Sequence, residues 1–195
     1  MTTTGAAIEA ESFRILADRV DLSHFDRVAR LVVARVIHAS ADLDYASTMV
    51  VDDAAVRAGI DALAAGAPVV TDVEMTRHGI SGVASTCYLA QAVAADGVTR
   101  SAAGIRAAAE RHPNGAIVIV GCAPTALAEV VRLHRAGAFD PALVIGLPVG
   151  FVGAAEAKQS LRSTRLAAIS NVGEKGGSAV AAAALNAIVR CAADA

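Results

Sequence analysis

Three stretches in the second half of the chain each place a run of apolar residues before a glycine-rich turn and an alanine-rich segment. They cover residues 116–125, 142–153 and 166–178. Each pattern is typical of a buried β-strand that passes through a turn into a helix. In an open parallel sheet, such turns gather at the carboxyl edge of the strands, where free backbone N–H groups at helix starts favour anionic ligands. We therefore expect the functional site at that edge.

Two further strands are predicted over residues 69–73 and 83–89, which gives five strands. When strands alternate with helices, right-handed crossovers place helices on both faces of a mostly parallel sheet. The predicted fold is therefore α/β, a three-layer, flavodoxin-like, doubly wound domain with a mostly parallel five-stranded sheet. Because the chain has 195 residues and no visible repeat or linker, residues 1–195 are expected to form one domain.

Composition argues against several classes of partner and site. The net charge is −2 and no block of Lys or Arg is present, unlike in proteins that bind nucleic acid through its phosphates. No stretch reaches the roughly 20 apolar residues that a membrane-spanning helix needs, and no secretory signal is evident. Cys87, Cys122 and Cys191 lie far apart in the sequence, so neither a disulfide framework nor a metal site is predicted. We expect a small-molecule partner and a cytoplasmic location.

His38 is a candidate proton donor. It is predicted at a helix C-terminus, where the helix dipole favours an imidazolium, and Asp42 or Asp44 is expected nearby. The alternative is a surface histidine that closes a helix. The residue pattern alone leaves both interpretations open.

Two other groups of polar residues are candidates for chemistry or binding. Asp72 and Glu74 follow a predicted strand and would suit acid–base work as a pair; alternatively, Asp72 caps a short helix and Glu74 is solvated. Arg100 precedes Ser101, the predicted N-cap of the next helix. Its guanidinium suits a carboxylate or phosphate ligand, and a solvated arginine is the alternative.

The loop at residues 173–178, GEKGGS, has the composition of an anion cradle. Its glycines let backbone N–H groups approach a ligand closely, and Lys175 adds positive charge. The order Lys-Gly-Gly-Ser does not fit the Gly-Lys-Ser/Thr order of a Walker A loop. A GxGxxG fingerprint after an early strand is also missing, which argues against a nicotinamide or flavin enzyme.

Six short motifs, taken together and in order, resemble the precorrin-8X methylmutase family along nearly the whole chain. They are RVIHASAD at 35–42, GAPVVTD at 66–72, TRSAA at 99–103, APTAL at 123–127, PVGFVG at 148–153 and KGGS at 175–178. Each motif alone is weak evidence, but six at plausible spacings form a specific signal. This resemblance favours the functional interpretation of His38.

The resemblance implies an isomerase of corrin-ring (vitamin B12) biosynthesis that moves a methyl group between adjacent carbons of ring C and forms hydrogenobyrinate or its cobalt form. It implies no redox cofactor, a flavodoxin-like homodimer with the active site near the subunit interface, and His38 as proton donor to the ring-C nitrogen. The residues expected to bind the tetrapyrrole are Arg100, Ser101, Pro124, Thr125, Gly150, Phe151, Lys175, Gly176, Gly177 and Ser178. Product could pass from this protein to the next pathway enzyme.

The sequence departs from the family pattern at two positions. Cys122 stands where the family usually has asparagine, and Glu174 stands where a basic residue is common. The exact contacts to substrate carboxylates are therefore open. Two rival functions also remain: a non-catalytic tetrapyrrole carrier, and a phosphometabolite enzyme that uses the 173–178 loop.

Overall fold

A single mixed sheet organises the chain in the computed structural model, which describes residues 4–92 and 97–193. Within these residues the sheet has six strands, which are β1 (Met49–Val50), β2 (Val69–Thr71), β3 (Thr86–Cys87), β4 (Ile117–Val120), β5 (Leu143–Gly146) and β6 (Ala168–Asn171). Their spatial order is β1-β6-β5-β4-β2-β3. Strands β2 to β6 pair in parallel, whereas β1 pairs antiparallel to β6.

The predicted α/β class and its mostly parallel sheet are confirmed. The five predicted strands are β2 to β6, and counted in chain order they lie as 2-1-3-4-5, the flavodoxin-like order. The sheet differs from the prediction by the additional edge strand β1. That strand has only two residues, Met49 and Val50, so no alternation of apolar and polar side chains could mark it in the sequence.

Helices connect the strands and cover both faces of the sheet. In the described part of the chain they are α1 (Gly5–Arg19), α2 (Arg27–Ser40), α3 (Tyr45–Thr48), α4 (Asp53–Ala64), α5 (Glu74–Gly79), α6 (Arg100–Arg111), α7 (Pro124–Arg135), α8 (Ala154–Arg162) and α9 (Ser178–Ala193). None of these helices is long and apolar enough to cross a membrane.

The core lies in two layers, one on each side of the sheet. Ile117 and Ile119 of β4 pack with α2, α4 and α9, whereas Val118 and Val120 pack with α6, α7 and α8 on the other face. All four side chains are fully buried. Burial on both faces explains why the central strands are continuous apolar runs, as is typical of parallel sheets with helices on both sides.

The start of α6 differs from the prediction. Thr99, and not Ser101, is its N-cap, because the Thr99 hydroxyl accepts a hydrogen bond from the backbone N–H of Ala102 at 3.3 Å. Ser101 therefore lies inside the first turn of the helix. Threonine and serine cap helices by the same hydrogen bond, so the sequence alone could not choose between positions 99 and 101.

Candidate active site

The loops that follow β4, β5 and β6 meet at the carboxyl edge of the sheet, as predicted. The backbone N–H of Gly150 donates to the carbonyl of Glu174 at 3.1 Å, and that of Gly177 donates to the carbonyl of Leu147 at 2.9 Å. The hydroxyls of Thr99 and Thr125 lie 2.8 Å apart, which joins the start of α6 to the start of α7. These contacts bring together most of the residues that were expected to bind substrate.

Two of these residues offer exposed side chains for a ligand. Arg100 is exposed and makes no hydrogen bond or ion pair with the described residues. Phe151 is 95% exposed, and its neighbour Val152 is 88% exposed. Gly150 lies beside Pro124, since a Cβ on Gly150 would be 3.9 Å from the proline Cγ. This part of the edge therefore combines an available cation with an open apolar surface.

The 173–178 loop approaches the loop after β5 very closely at Gly176. A Cβ on Gly176 would lie 2.2 Å from the carbonyl oxygen of Leu147 and 2.5 Å from that of Pro148. No side chain fits in this space, because real Cβ atoms essentially never come within 3.0 Å of other heavy atoms. At Gly176 this glycine-rich loop therefore packs backbone against backbone on the loop after β5.

Lys175 does not present a free ammonium. Its Nζ donates to Asp42 Oδ2 and to Asp44 Oδ2, both at 2.7 Å. These hydrogen bonds raise the pKa of Lys175 above its ordinary value, and the ammonium lowers the pKa of Asp42. The ion pairs tie the loop after β6 to the segment that follows His38. A ligand carboxylate must compete with two protein carboxylates for this lysine.

The carboxylate of Asp72 occupies the start of α7. Asp72 is buried and accepts backbone N–H groups from Gly121 at 3.2 Å and from Cys122 and Ala123 at 2.8 Å each. This is the switch point between β2 and β4, where anions bind in related topologies. The N–H groups of Cys122 and Ala123 are therefore used within the protein.

The same network accounts for Ser178. The Thr76 hydroxyl donates to Asp72 Oδ1 at 2.9 Å and lies 2.9 Å from the hydroxyl of Ser178, which is buried. Asp72 and Glu74 do not act on a shared proton in this arrangement, because Glu74 accepts from Arg77 instead, at 2.5 Å. The two carboxylates face different partners, and the acid–base pair considered from the sequence is not formed.

His38 lies in the last turn of α2 and is half-buried against α1. Its Nδ1 is 2.8 Å from the hydroxyl of Ser12, and its ring stacks on Phe13 with centroids 4.9 Å apart and planes 14° apart. Its Nε2 makes no hydrogen bond with any residue that the structure describes. One ring nitrogen is thus anchored and the other is available for proton transfer.

A groove of about 580 Å³ runs beside His38 between α2, α9 and residues 79–82. Its α9 wall consists of small side chains, among them Ala179, Ala182 and Ala183. Asn186 holds the opposite wall in place, since its side chain accepts from the N–H of Ser81 and donates to the carbonyl of Gly79, each at 2.9 Å. The size is typical of small-molecule sites.

Helix α1 supplies contacts that the sequence analysis missed. Besides Ser12 and Phe13, it brings Glu9 between two arginines of the groove: Glu9 Oε1 is 2.6 Å from Arg35 and 2.9 Å from Arg190. Hydrogen bonds from Arg190 and Arg35 lower the pKa of Glu9 from 4.5 to about 2. No local pattern reveals these contacts, because they depend on how α1 crosses α2 and α9.

No metal centre is visible at this edge or elsewhere in residues 4–92 and 97–193, where no group of three or more His, Cys, Asp or Glu side chains could hold an ion. Cys122 is exposed, and burial of its sulfur together with the nearby Asp72 charge raises its pKa. The side chains described above offer an imidazole that could exchange a proton and donors for anionic groups.

Comparison with known proteins decides the family. The sequence profile described as precorrin-8X methylmutase matches residues 7–191 of the chain. The chain belongs to the precorrin-8X methylmutase family. It is therefore an isomerase of the methylmutase type, and the resemblance inferred from six short motifs is confirmed.

Individual members of the family are similar along nearly their whole length. The cobalt-precorrin-8 methylmutase of Priestia megaterium is 38% identical over 200 residues, which cover 96% of this chain and 88% of that protein. The precorrin-8X methylmutase of a Sinorhizobium species is 38% identical over 199 residues, with 95% and 94% coverage. A crystal structure of the precorrin-8X methylmutase from Thermus thermophilus superposes with a TM-score of 0.89 at 39% identity and covers 97% of both chains.

Glu9→Gln is expected to loosen α1 from the groove of this family member and to lower the hydrogen-exchange protection of the α1 amides, because the neutral side chain loses its attraction to Arg35 and Arg190. The pKa of Glu9 falls from 4.5 to about 2 on folding, so the ion pairs contribute fully above pH 4.5. Their contribution is lost as the pH falls towards 2. The stability difference between wild type and Glu9→Gln should therefore shrink over this range in urea titrations.

Glu11→Gln is the matched control for this change. Glu11 is on the same helix, and among the described residues its ion pair is with Arg14, one turn away. This variant should keep the amide protection of α1 close to that of wild type. Equal loss of α1 protection in both variants would show that Glu9 has no special role in docking the helix.

Gly176→Ala is expected to lower stability by about 2 kcal/mol and to weaken tetrapyrrole binding, because the new methyl group forces apart the loops after β5 and β6. Gly173→Ala serves as the control. Its site has a φ of +88° but nothing within 4 Å of the added Cβ, so it should cost only about 1 kcal/mol through backbone strain. Denaturant midpoints compare the two; equal losses would contradict the close approach at Gly176.

Proposed function

We propose that this protein converts precorrin-8X to hydrogenobyrinate by moving a methyl group between adjacent carbons of ring C, with His38 as the proton donor. Family membership supports the reaction. The observation that supports His38 is its position: the ring lines the groove, Nδ1 is anchored on Ser12, and Nε2 has no partner among the described residues. Histidine is the side chain best suited to exchange a proton near neutral pH.

The chemistry needs one proton and no covalent enzyme intermediate. Protonation of the ring-C nitrogen draws electron density from the conjugated system and weakens the bond to the migrating methyl group. The carbon–carbon bond to the old position breaks as the bond to the neighbouring carbon forms. Return of this proton to the imidazole of His38 after the shift restores the imidazolium, so substrate and product are isomers and no proton is gained or lost overall.

Binding of the macrocycle supplies the orientation that the shift requires. We assign its peripheral carboxylates to Arg100, to the backbone of the Gly176–Gly177 segment and to Lys175 once that lysine exchanges Asp42 and Asp44 for the ligand. Ser101, Pro124, Thr125, Gly150 and Phe151 line the same edge. Ser178 contributes through its place at the start of α9, since its hydroxyl is used by Thr76.

We further propose that the protein works as a homodimer, with residues 1–195 of each chain forming one methylmutase domain. The nearly fully exposed Phe151 and Val152 support this, because a second copy would remove apolar surface from water next to the active edge. Sedimentation equilibrium tests it: a dimer is expected for wild type, and Phe151→Ser should shift the equilibrium towards monomer.

A cytoplasmic location fits the free thiols of Cys87 and Cys122. The partners are then the tetrapyrrole substrate and product and the enzyme that receives the product, with no nucleic acid or membrane involved. Fractionation of cells that express the protein tests the location.

The deciding experiment is incubation of the purified protein with precorrin-8X while the absorbance spectrum is followed. Conversion to hydrogenobyrinate is expected. Binding without isomerisation would favour the tetrapyrrole carrier. If phosphate esters, and not corrinoids, raised the melting temperature, a phosphometabolite enzyme would be favoured instead.

A further inference from the structure

Lys158 is a buried cation that the proposed reaction does not use. It lies on α8, its exposed fraction is 0%, and it forms no salt bridge with any described residue. A buried ammonium without a carboxylate is destabilising, because desolvation of the charge is not offset by an opposite charge. A methionine would fill the same space without this cost. The position of Lys158 therefore calls for a role other than core packing.

The hydrogen bonds of Lys158 converge on the loop after β6. Its Nζ donates to the backbone carbonyl of Lys175 at 2.7 Å and to Asn171 Oδ1 at 2.9 Å. The Asn171 amide donates to the same Lys175 carbonyl at 2.9 Å. The Lys175 carbonyl, within the glycine-rich loop, thus accepts hydrogen bonds from two donors, one of them charged. Charge-assisted hydrogen bonds are the stronger kind.

Lys175 is held both through its backbone and through its side chain. While Lys158 holds the carbonyl of Lys175, Asp42 and Asp44 hold its ammonium. The carboxylates can be displaced by a ligand, since the Lys175 side chain is half-exposed. The Lys158 contact is buried and does not involve these carboxylates. It is therefore the contact that can keep the loop in shape during binding.

We propose that Lys158 is a positioning residue, whose ammonium fixes the 173–178 loop in the conformation that receives the carboxylates of the ligand. The part of this inference that concerns the ligand rests on the proposed function. The part that concerns the loop does not, because it follows from contacts within the chain.

The protonation of Lys158 gives the inference a pH signature. Burial is the main cause that lowers its pKa from 10.5 to about 8; Arg162 on the same helix lowers it further, and Glu174 in the loop raises it. Arg162 itself donates to the carbonyl of Asn171 at 2.9 Å. Below pH 8 the ammonium holds the loop, and above pH 8 the neutral amine holds it more weakly.

Global stability should respond in the opposite direction. Because the pKa of Lys158 is lower in the folded than in the unfolded chain, the cost of burying the charge is fully present below pH 8 and is relieved as the pH rises towards 10.5. Loop order is thus expected to fall over a range where this residue's contribution to global stability rises. For a lysine with a purely structural role, loop order and global stability would change in the same direction with pH.

Hydrogen exchange of the free protein tests the loop without any corrinoid. In wild type, amide protection of residues 173–178, corrected for the intrinsic rate, is expected to fall about tenfold between pH 7 and pH 9.5. Lys158→Met should show the lower protection already at pH 7 and no step with pH. Ser160→Ala, on the same helix, is the matched control and should behave like wild type. Unchanged protection in wild type across this range would overturn the inference, whether or not Lys158→Met folds.

Binding of hydrogenobyrinate tests the consequence for the ligand. Lys158→Met is expected to raise the Kd about tenfold at pH 7 and to change kcat less than threefold, because the proton donor is untouched. Equal Kd values for the folded variant and wild type would refute the role in binding. If wild type itself did not bind hydrogenobyrinate, the proposed function would fail, and the exchange experiment would still decide the role of Lys158 in the loop.

Discussion

Replacement of His38 by alanine is expected to lower turnover by about 10²–10⁴-fold, which is the usual contribution of a general acid. The variant should still bind tetrapyrrole. In wild type the imidazole of His38 lines only one side of the groove. The residues proposed to bind the carboxylates of the substrate lie on other elements. Single-turnover absorbance measurements with precorrin-8X separate the two effects, because kcat should fall while Kd changes little.

The loss of turnover should be specific to His38, so replacement of a histidine on another element should leave the rate unchanged. His134→Ala is a suitable control. His134 lies on α7, on the opposite face of the sheet, where its Nδ1 is 3.2 Å from the carbonyl oxygen of Phe139. Turnover of His38→Ala equal to that of the control would exclude His38 as the proton donor.

Asp72→Ala is expected to lower the free energy of unfolding by about 3 kcal/mol or more. Each buried donor that loses its acceptor costs about 1–3 kcal/mol, and this carboxylate accepts three backbone N–H groups as well as the Thr76 hydroxyl. The loop between β4 and α7 would lose the group that shapes it. Urea denaturation followed by circular dichroism measures the loss.

Asp52→Ala provides the comparison for Asp72→Ala. Asp52 caps α4 through one hydrogen bond, from the N–H of Ala55 at 2.7 Å, and it is exposed. Removing an N-cap of this kind costs about 1 kcal/mol. If both variants lost the same stability, Asp72 would be an ordinary cap and its network would contribute little beyond one hydrogen bond.

Most of the sheet could be predicted from the sequence because its strands are buried on both faces. The apolar runs at β4 and β5 stand out against the helices between them, and each is followed by a glycine-rich turn. Strand β3 was harder to place, since only Thr86 and Cys87 pair within the predicted 83–89 segment. Strand β1 depends on pairing with β6, a contact distant in sequence that leaves no local signal.

The candidate site was predictable only in part. That the turns meet at one edge follows from the topology of a parallel sheet, and the choice of His38 among five histidines came from the resemblance to the family. The partners of the site residues could not be predicted. Ser12 reaches His38 across 26 residues, and Lys175 reaches Asp42 across 133 residues. Such contacts are set by helix packing, which periodicity within one segment does not encode.

The position of Asp72 affects how inorganic phosphate could bind to this protein. Open sheets of this topology usually have an electropositive anion-binding site at the crevice between the central strands. In this protein the carboxylate of Asp72 occupies that site, and it is covalently part of the chain. A free phosphate at this position would have to compete with the Asp72 carboxylate for the backbone N–H groups of Gly121, Cys122 and Ala123.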